Sequence, residues 1–365
     1  MIELVRSQPA AEQVSLQFEV VPAYDLLISL AAVAHPDRYE LPVSWARQVR
    51  KALPADVRSE VTYFFGDPMS LGTGTIQLVP DVDGATDPSA FIASLQSVDS
   101  TELVTALLSH RTGGRALTTA LRRKARGKNL SETDEGRIRE YVGGLKAQTR
   151  KRFWEILHDP AASRDRYLAL LRAYHESWFA AHYPEVQPFL VQRAKQGRRS
   201  IGKLATGEVI ARVTGGFTLQ SPGVRSVTLV PSYYAAPFVI VVKDGPDVVL
   251  VYGARPRETE SSRSPIDSQT IKVLKALADE TRLRILQLLA ERPLYGQQLA
   301  EALGVSHPTV SHHMAQLRIA GLTRTELAED GSQTYSVRPE ALAQLCAELR
   351  AAFIDGSRSD GGSLE

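Results

Sequence analysis

The 365-residue chain has a single cysteine, Cys346, which excludes an intramolecular disulfide and any cysteine-rich zinc site. It has no apolar run near the roughly 18 residues that a membrane span needs. Its opening, MIELVRSQPAAEQ, has no apolar stretch of the signal-peptide type. A soluble cytoplasmic protein with no membrane partner is therefore expected. The sequence also lacks HExxH, an internal repeat, and any defensible Ser/His/Asp arrangement. Gly72-Thr73-Gly74 lacks the following Gly, Lys or helix start of a phosphate-binding loop. These absences predict no catalytic residues, no cofactor and no metal.

What is present suits a core-forming chain of two or three domains, 43% apolar and 23% charged. The net charge of +2 is unevenly spread. Residues 1–110 hold 6 basic and 14 acidic side chains, residues 111–152 hold 13 and 4, and residues 265–365 hold 10 and 13.

Residues 14–20 alternate with period two, as a half-buried strand does. Helices are expected over Tyr24–Val33 behind Pro22, over 43–53 and over 89–109, with loops at Gly72, Gly74, Pro80, Asp83-Gly84 and Pro88. Residues 115–182 carry Leu145, Phe153, Trp154, Leu157, Leu168, Leu171, Trp178 and Phe179 as a helical core. Segments 207–213, 224–230, 237–243 and 247–252 read as β-rich. The expected fold is α+β. An N-terminal region, 1–255, is mainly helical to about 195 and β-rich over 200–253. A linker at 256–266, a winged helix-turn-helix at 267–354 and a disordered tail at 355–365 follow.

In the C-terminal part, Asp279 is placed to cap a helix, Pro293 ends it, and Gly304 supplies a left-handed C′ position. Ser306 is an N-cap, with Pro308 in the first turn after it. From there Val310, Met314 and Leu317 share one helix face, while His307, Thr309, Ser311, His312 and Gln316 share another. Short hydrogen-bonding side chains at a helix N-terminus are what a major groove admits. His313 falls between the faces. Leu322 to Arg338 form a hairpin around Glu329-Asp330-Gly331-Ser332, and the helix Pro339–Phe353 carries an apolar stripe.

The motifs LADETRLRILQLL at 277–289 and QLAEALGVSHPTVSHHMAQLRIAGL at 298–322 resemble the ArsR family of bacterial repressors over about a quarter of the chain. The resemblance implies a transcription regulator of the repressor type, a homodimer held by the first and last helices of the domain. It also implies a pseudo-palindromic operator in double-stranded DNA. DNA contacts are expected from Ser306, His307, Thr309, Ser311, His312, Gln316, Arg318, Arg324 and Gln333. Dimer contacts are expected from Leu342, Leu345, Cys346, Leu349 and Phe353. Cys346, on the apolar stripe, reads as a small interface residue before it reads as a redox switch.

The sequence departs from the family where some members bind metal. Leu294-Tyr295-Gly296-Gln297-Gln298-Leu299 offers no thiol, and the last helix offers Glu340, Cys346 and Glu348 but no histidine. The wing tip is acidic. Arg282 and Arg284 read either as phosphate contacts or as structural ion pairs. The block Arg115–Arg126, with Arg122-Arg123-Lys124, reads as a supplementary DNA contact or, preferably, as a solvated helix face, and so does Arg198-Arg199. His175-Glu176 with His182 reads as ordinary histidines rather than a metal site. Tyr233, Tyr234, Phe238 and Trp178 read as packing or as the lining of an apolar pocket. Two functions stay open: a regulator whose N-terminal region takes a small-molecule effector, and an enzyme or protein-interaction domain fused to an auxiliary winged helix.

Overall fold

The computed structural model describes residues 14–39, 41–66, 71–109, 114–143, 145–219, 223–255, 268–305, 307–327 and 333–355. Ser306, the linker, the wing tip and the tail therefore fall outside the described residues. Two hydrophobic cores form, one from residues between Phe18 and Ala254, the other from residues between Val273 and Leu345.

The first core opens with strand β1 (Ser15–Phe18) and helix α1 (Pro22–Ala34). Twelve of the thirteen residues of α1 are buried, so the helix has no solvated face and must run through the interior. Its two polar side chains are satisfied there. Ser29 donates to the Leu26 carbonyl at 2.9 Å and accepts from the Tyr174 hydroxyl at 2.9 Å. The Asp25 carboxylate accepts from Ser232 Oγ at 2.5 Å and from the Tyr233 amide at 3.1 Å.

Helices α2 (Val43–Ala52), α3 (Ala55–Phe65), α4 (Pro88–Leu95), α5 (Ser100–Leu108), α6 (Gly114–Ala125), α7 (Glu132–Gly143), α8 (Ala147–His158), α9 (Pro160–Tyr174), α10 (Ala180–Arg198) and α11 (Thr206–Thr214) follow. The single helix expected over 89–109 is two, because the Asp99 carboxylate accepts from the amides of Thr101 and Glu102 and restarts the chain as α5. The loop expected around Gly72 and Gly74 is instead a 3₁₀ segment, Leu71–Leu78. It packs too tightly for side chains: a Cβ at Gly72 would sit 2.4 Å from the Phe65 ring, and one at Gly74 would sit 1.8 Å from the Ala106 carbonyl oxygen. Trp154, expected in the core, is 41% exposed.

A second correction concerns 207–213, which is helix α11 and not strand. Val209, Ile210 and Val213 repeat at helical spacing, and the first two are buried. Gly215 and Gly216, at φ 72° and 97°, end that helix. The chain then enters β2 (Phe217–Leu219), β3 (Ser226–Ser232), β4 (Val239–Asp244) and β5 (Asp247–Gly253). The first sheet has the order β1-β3-β5-β4, with β1, β3 and β5 parallel and β4 antiparallel to β5.

The second core is built from α12 (Ser268–Leu277), α13 (Glu280–Glu291), β6 (Leu294–Tyr295), α14 (Gly296–Leu303), α15 (His307–Ile319), β7 (Thr323–Leu327), β8 (Gln333–Val337) and α16 (Pro339–Arg350). This is the winged helix-turn-helix, so the chain as a whole is of the mixed α+β class. No described helix is long and apolar enough to cross a membrane.

Burial without a cation beside it pushes the Asp25 carboxyl up to about 7, against the pull of its hydrogen bonds. The folded state therefore prefers the protonated acid. Stability is expected to fall as pH rises from about 4 to about 7, by an amount on the order of 4 kcal/mol. Denaturant melts across that range should show the slope, and Asp25→Asn should remove most of it.

Candidate DNA-binding interface

Most of the residues expected to contact DNA lie on α15. Val310, Met314 and Leu317 are buried against the rest of the winged-helix core. Thr309, Ser311, His312, Gln316 and Arg318 are half-buried around the other sides of the helix. The backbone of His307 opens the helix and that of Gln333 opens β8; their side chains lie outside the described ones. Ser306, assigned above as the N-cap, lies outside the described residues. The turn leading into α15 is set by Gly304, whose φ of 64° is a left-handed geometry that a glycine adopts at little cost.

Asp279 accepts from the Arg282 amide at 2.9 Å and so caps α13. That bond, more than its charged neighbours, holds the Asp279 carboxyl below the usual carboxylate range. His313 Nδ1 lies 3.6 Å from the same carboxylate, beyond hydrogen-bond length. Burial holds the imidazoles of both His312 and His313 below their ordinary value. Near neutral pH His312 is therefore an uncharged ring with one donor and one acceptor, which suits base edges better than phosphate. After burial, the neighbouring His313 lowers the proton affinity of His312 most, with smaller opposed effects from Arg38 and Asp37.

The arginines are less available than their sequence positions suggest. Arg324 is paired with Glu340, and Arg338 approaches the same carboxylate at 3.3 Å. Arg282 donates to the carbonyls of Ala276 at 2.6 Å and Lys275 at 2.9 Å, closing the end of α12, and Arg284 pairs with Glu280 at 2.8 Å. In the basic block, Arg122 and Arg126 pair with Glu102 at 2.7 and 3.0 Å, and Arg123 lies 3.6 Å from Asp134. Those pairs tie α6 to α5 and α7. Arg198 donates to the Phe18 carbonyl, so it anchors α10 to β1.

The wing continues into the large domain. The second sheet has the order β2-β7-β8-β6, and β2 runs parallel to β7 with Phe217 opposite Thr325, Thr218 opposite Glu326 and Leu219 opposite Leu327. Phe217 is 1% exposed and belongs to the first core, while its backbone belongs to the wing sheet. This strand gave no recognisable signal in the sequence, because three residues are too few to show an alternation.

The expected dimer residues do not all face outward. Leu345 is buried in its own domain, Leu342 and Leu349 pack partly on the same core, and Phe353 is 64% exposed. Cys346 is exposed rather than buried. Thr270 donates to Glu348 at 2.6 Å and so joins α12 to α16.

The sequence profile described as "Bacterial regulatory protein, arsR family" matches residues 279–325, from the cap of α13 into β7. NmtR of Mycobacterium tuberculosis, an HTH-type transcriptional regulator, is 39% identical over 89 residues, 73% of its own length and 23% of this chain. The chain belongs to the ArsR family. KmtR, an HTH-type transcriptional regulator of the same organism, is 41% identical over 76 residues, which span 57% of its length and 20% of this chain. Reduced HlyU from Vibrio cholerae is similar at 31% identity, covering 24% of this chain and 90% of that one, with a TM-score of 0.20. The family profile falls on the C-terminal domain, and the long N-terminal region is an extension to it.

The other sequence candidates resolve into packing. Trp178 and Tyr234 are buried in a cluster with Trp45 and Tyr174. Tyr233 packs edge-on to Tyr234, and Phe238 to Tyr39. His182 bonds the Trp178 carbonyl at 2.8 Å and stacks on that indole.

The β2–β7 pairing predicts that Thr218→Pro, which removes an amide from β2, will speed hydrogen exchange over residues 323–327 while leaving α13 and α14 unchanged. Unaltered exchange in β7 would count against the docked wing.

Proposed function

We propose that the chain is a DNA-binding transcription regulator, a repressor that acts as a homodimer on a pseudo-palindromic operator. The observation that carries this reading is the division of α15, with Val310, Met314 and Leu317 buried and Thr309, Ser311, His312 and Gln316 placed away from them. Arg318, Arg324, Ser306, His307 and Gln333 complete the proposed contact set. A short polar helix end of this kind fits the major groove. With Arg324 paired to Glu340, base-edge hydrogen bonds carry the discrimination and few wing charges reach phosphate.

The dimer reading is supported by apolar surface on the first and last elements of the winged helix. Ile271 and Leu274 on α12 are 37% and 39% exposed, and Phe353 just beyond α16 is 64% exposed. A second copy would cover these side chains through a two-fold contact. Ile271→Glu/Leu274→Glu is expected to give a monomer by light scattering where the parent chain gives a dimer.

Metal is not the signal at the winged helix in this reading, because Leu294–Leu299 and α16 supply neither thiol pair nor histidine. The N-terminal extension is read as effector-binding rather than enzymatic. Its perturbed acid, Asp25, is wholly enclosed by Ser232 and its neighbours, out of reach of a substrate. Effector binding would change DNA affinity by a coupling on the order of 1–3 kcal/mol.

Selection from random duplexes should enrich a pseudo-palindrome with half-sites about one helical turn apart. Thr309→Ala/His312→Ala should weaken the selected site about ten- to a hundredfold. Affinity should fall with salt, by a slope that counts the phosphates the protein neutralises. Selection of no symmetric site, or equal binding by the variant, would falsify the assignment of α15.

A further inference from the structure

A cleft of about 360 Å³ opens on the large domain between α6, α7 and α8. Ile138 and Val142 of α7 are buried beneath it, and the Trp154 indole forms one side, 41% exposed. One edge of that indole packs on the buried Phe153 ring at 5.3 Å, and the rest of its surface faces the cleft mouth and solvent. The rim carries three cations, Lys124, Arg139 and Arg150, against one acid, Glu135. The neighbouring arginines of α6 are taken by Glu102 and Asp134, whereas Lys124 and Arg139 have no carboxylate partner among the described residues. Arg150 is held by the carbonyls of Gly143 and Leu145, at 3.3 and 3.1 Å, so its charge stands fixed at the α7–α8 turn.

We propose that this cleft binds a small aromatic anion, with its ring against Trp154 and the Ile138–Val142 floor and its acid group at Lys124 and Arg139. The volume is at the low end for small-molecule sites and suits one or two fused rings. An apolar floor distinguishes the cleft from a phosphate track, which needs no buried hydrocarbon. A neutral ring would gain the floor but leave the cations unanswered; an inorganic anion would do the reverse. The cleft thus supplies an effector site for the regulator, and ligand binding is measurable without DNA, so its failure is separate from failure of the DNA reading.

The test is calorimetric titration of the full chain with 2-naphthoate and with its neutral isostere 2-naphthamide. Naphthoate should bind once per chain and quench Trp154 emission, an effect lost in Trp154→Phe. Naphthamide should bind at least about tenfold more weakly. Lys124→Glu/Arg139→Glu should weaken naphthoate by about tenfold or more. Both side chains are exposed, so this variant keeps the parent melting curve. Absence of saturable heat at millimolar naphthoate overturns the proposal, as does equal affinity for acid and amide. A double variant that keeps naphthoate binding but loses affinity for duplex DNA also overturns it, and assigns the rim to phosphate contact instead.

Discussion

Three residues of backbone tie the DNA-reading domain of this chain to the rest of it. β2 leaves α11 through the paired left-handed glycines Gly215 and Gly216, buries Phe217 in the large core, and presents its peptide edge to β7. An exposed edge of a two-stranded wing is a row of unmet amides and carbonyls, and β2 meets them. Strand pairing fixes register in steps of two residues, because a single-residue slip would turn Phe217 out of its core. The wing is thus held at a set position relative to the large domain.

The large domain itself is organised around a helix that burial leaves no choice. α1 has apolar residues on every side, and it packs against α2, α3, α4 and the segments Pro36–Tyr39 and Leu71–Leu78. Its two polar positions became joints. Asp25 binds the end of β3, some two hundred residues later in the chain, and Ser29 binds Tyr174. Tyr167 makes a similar buried joint with Thr75 at 2.7 Å and the Gly72 carbonyl at 3.0 Å. Such bonds are worth little when made and much when one partner is missing, so they specify position more than they add stability.

Charge follows the same economy. In the basic block in the middle of the sequence, Arg122, Arg123 and Arg126 are held in ion pairs that bind α6 to α5 and α7, and these surface pairs contribute little energy each. Three other cations of the block, Lys124, Arg139 and Arg150, stand around one apolar cleft. In the winged helix, Arg324 and Arg282 likewise answer Glu340 and the end of α12.

Local chemistry made much of this legible from the sequence. The Asp279 cap, the glycine stop at Gly304 and the inward face of Val310, Met314 and Leu317 depend on residues within a few positions of one another, and the family motifs lie on the same stretch. Partners distant along the chain were not legible. α11 read as strand because its valines and isoleucine favour either state until a core selects a face. The split between α4 and α5 turned on one aspartate. Trp154 read as core because helical spacing does not tell which side of a helix has a neighbour. The pairing of β2 with the wing, the enclosure of Asp25 and the spending of the arginines depend on approaches between residues that sequence keeps far apart. The sequence by itself determined a winged helix and the buried face of its helix α15, since caps, turns and periodicity act over one helix length. Only the tertiary structure decided what that winged helix is fastened to and which charges remain free, since burial and ion pairing are properties of neighbours in space.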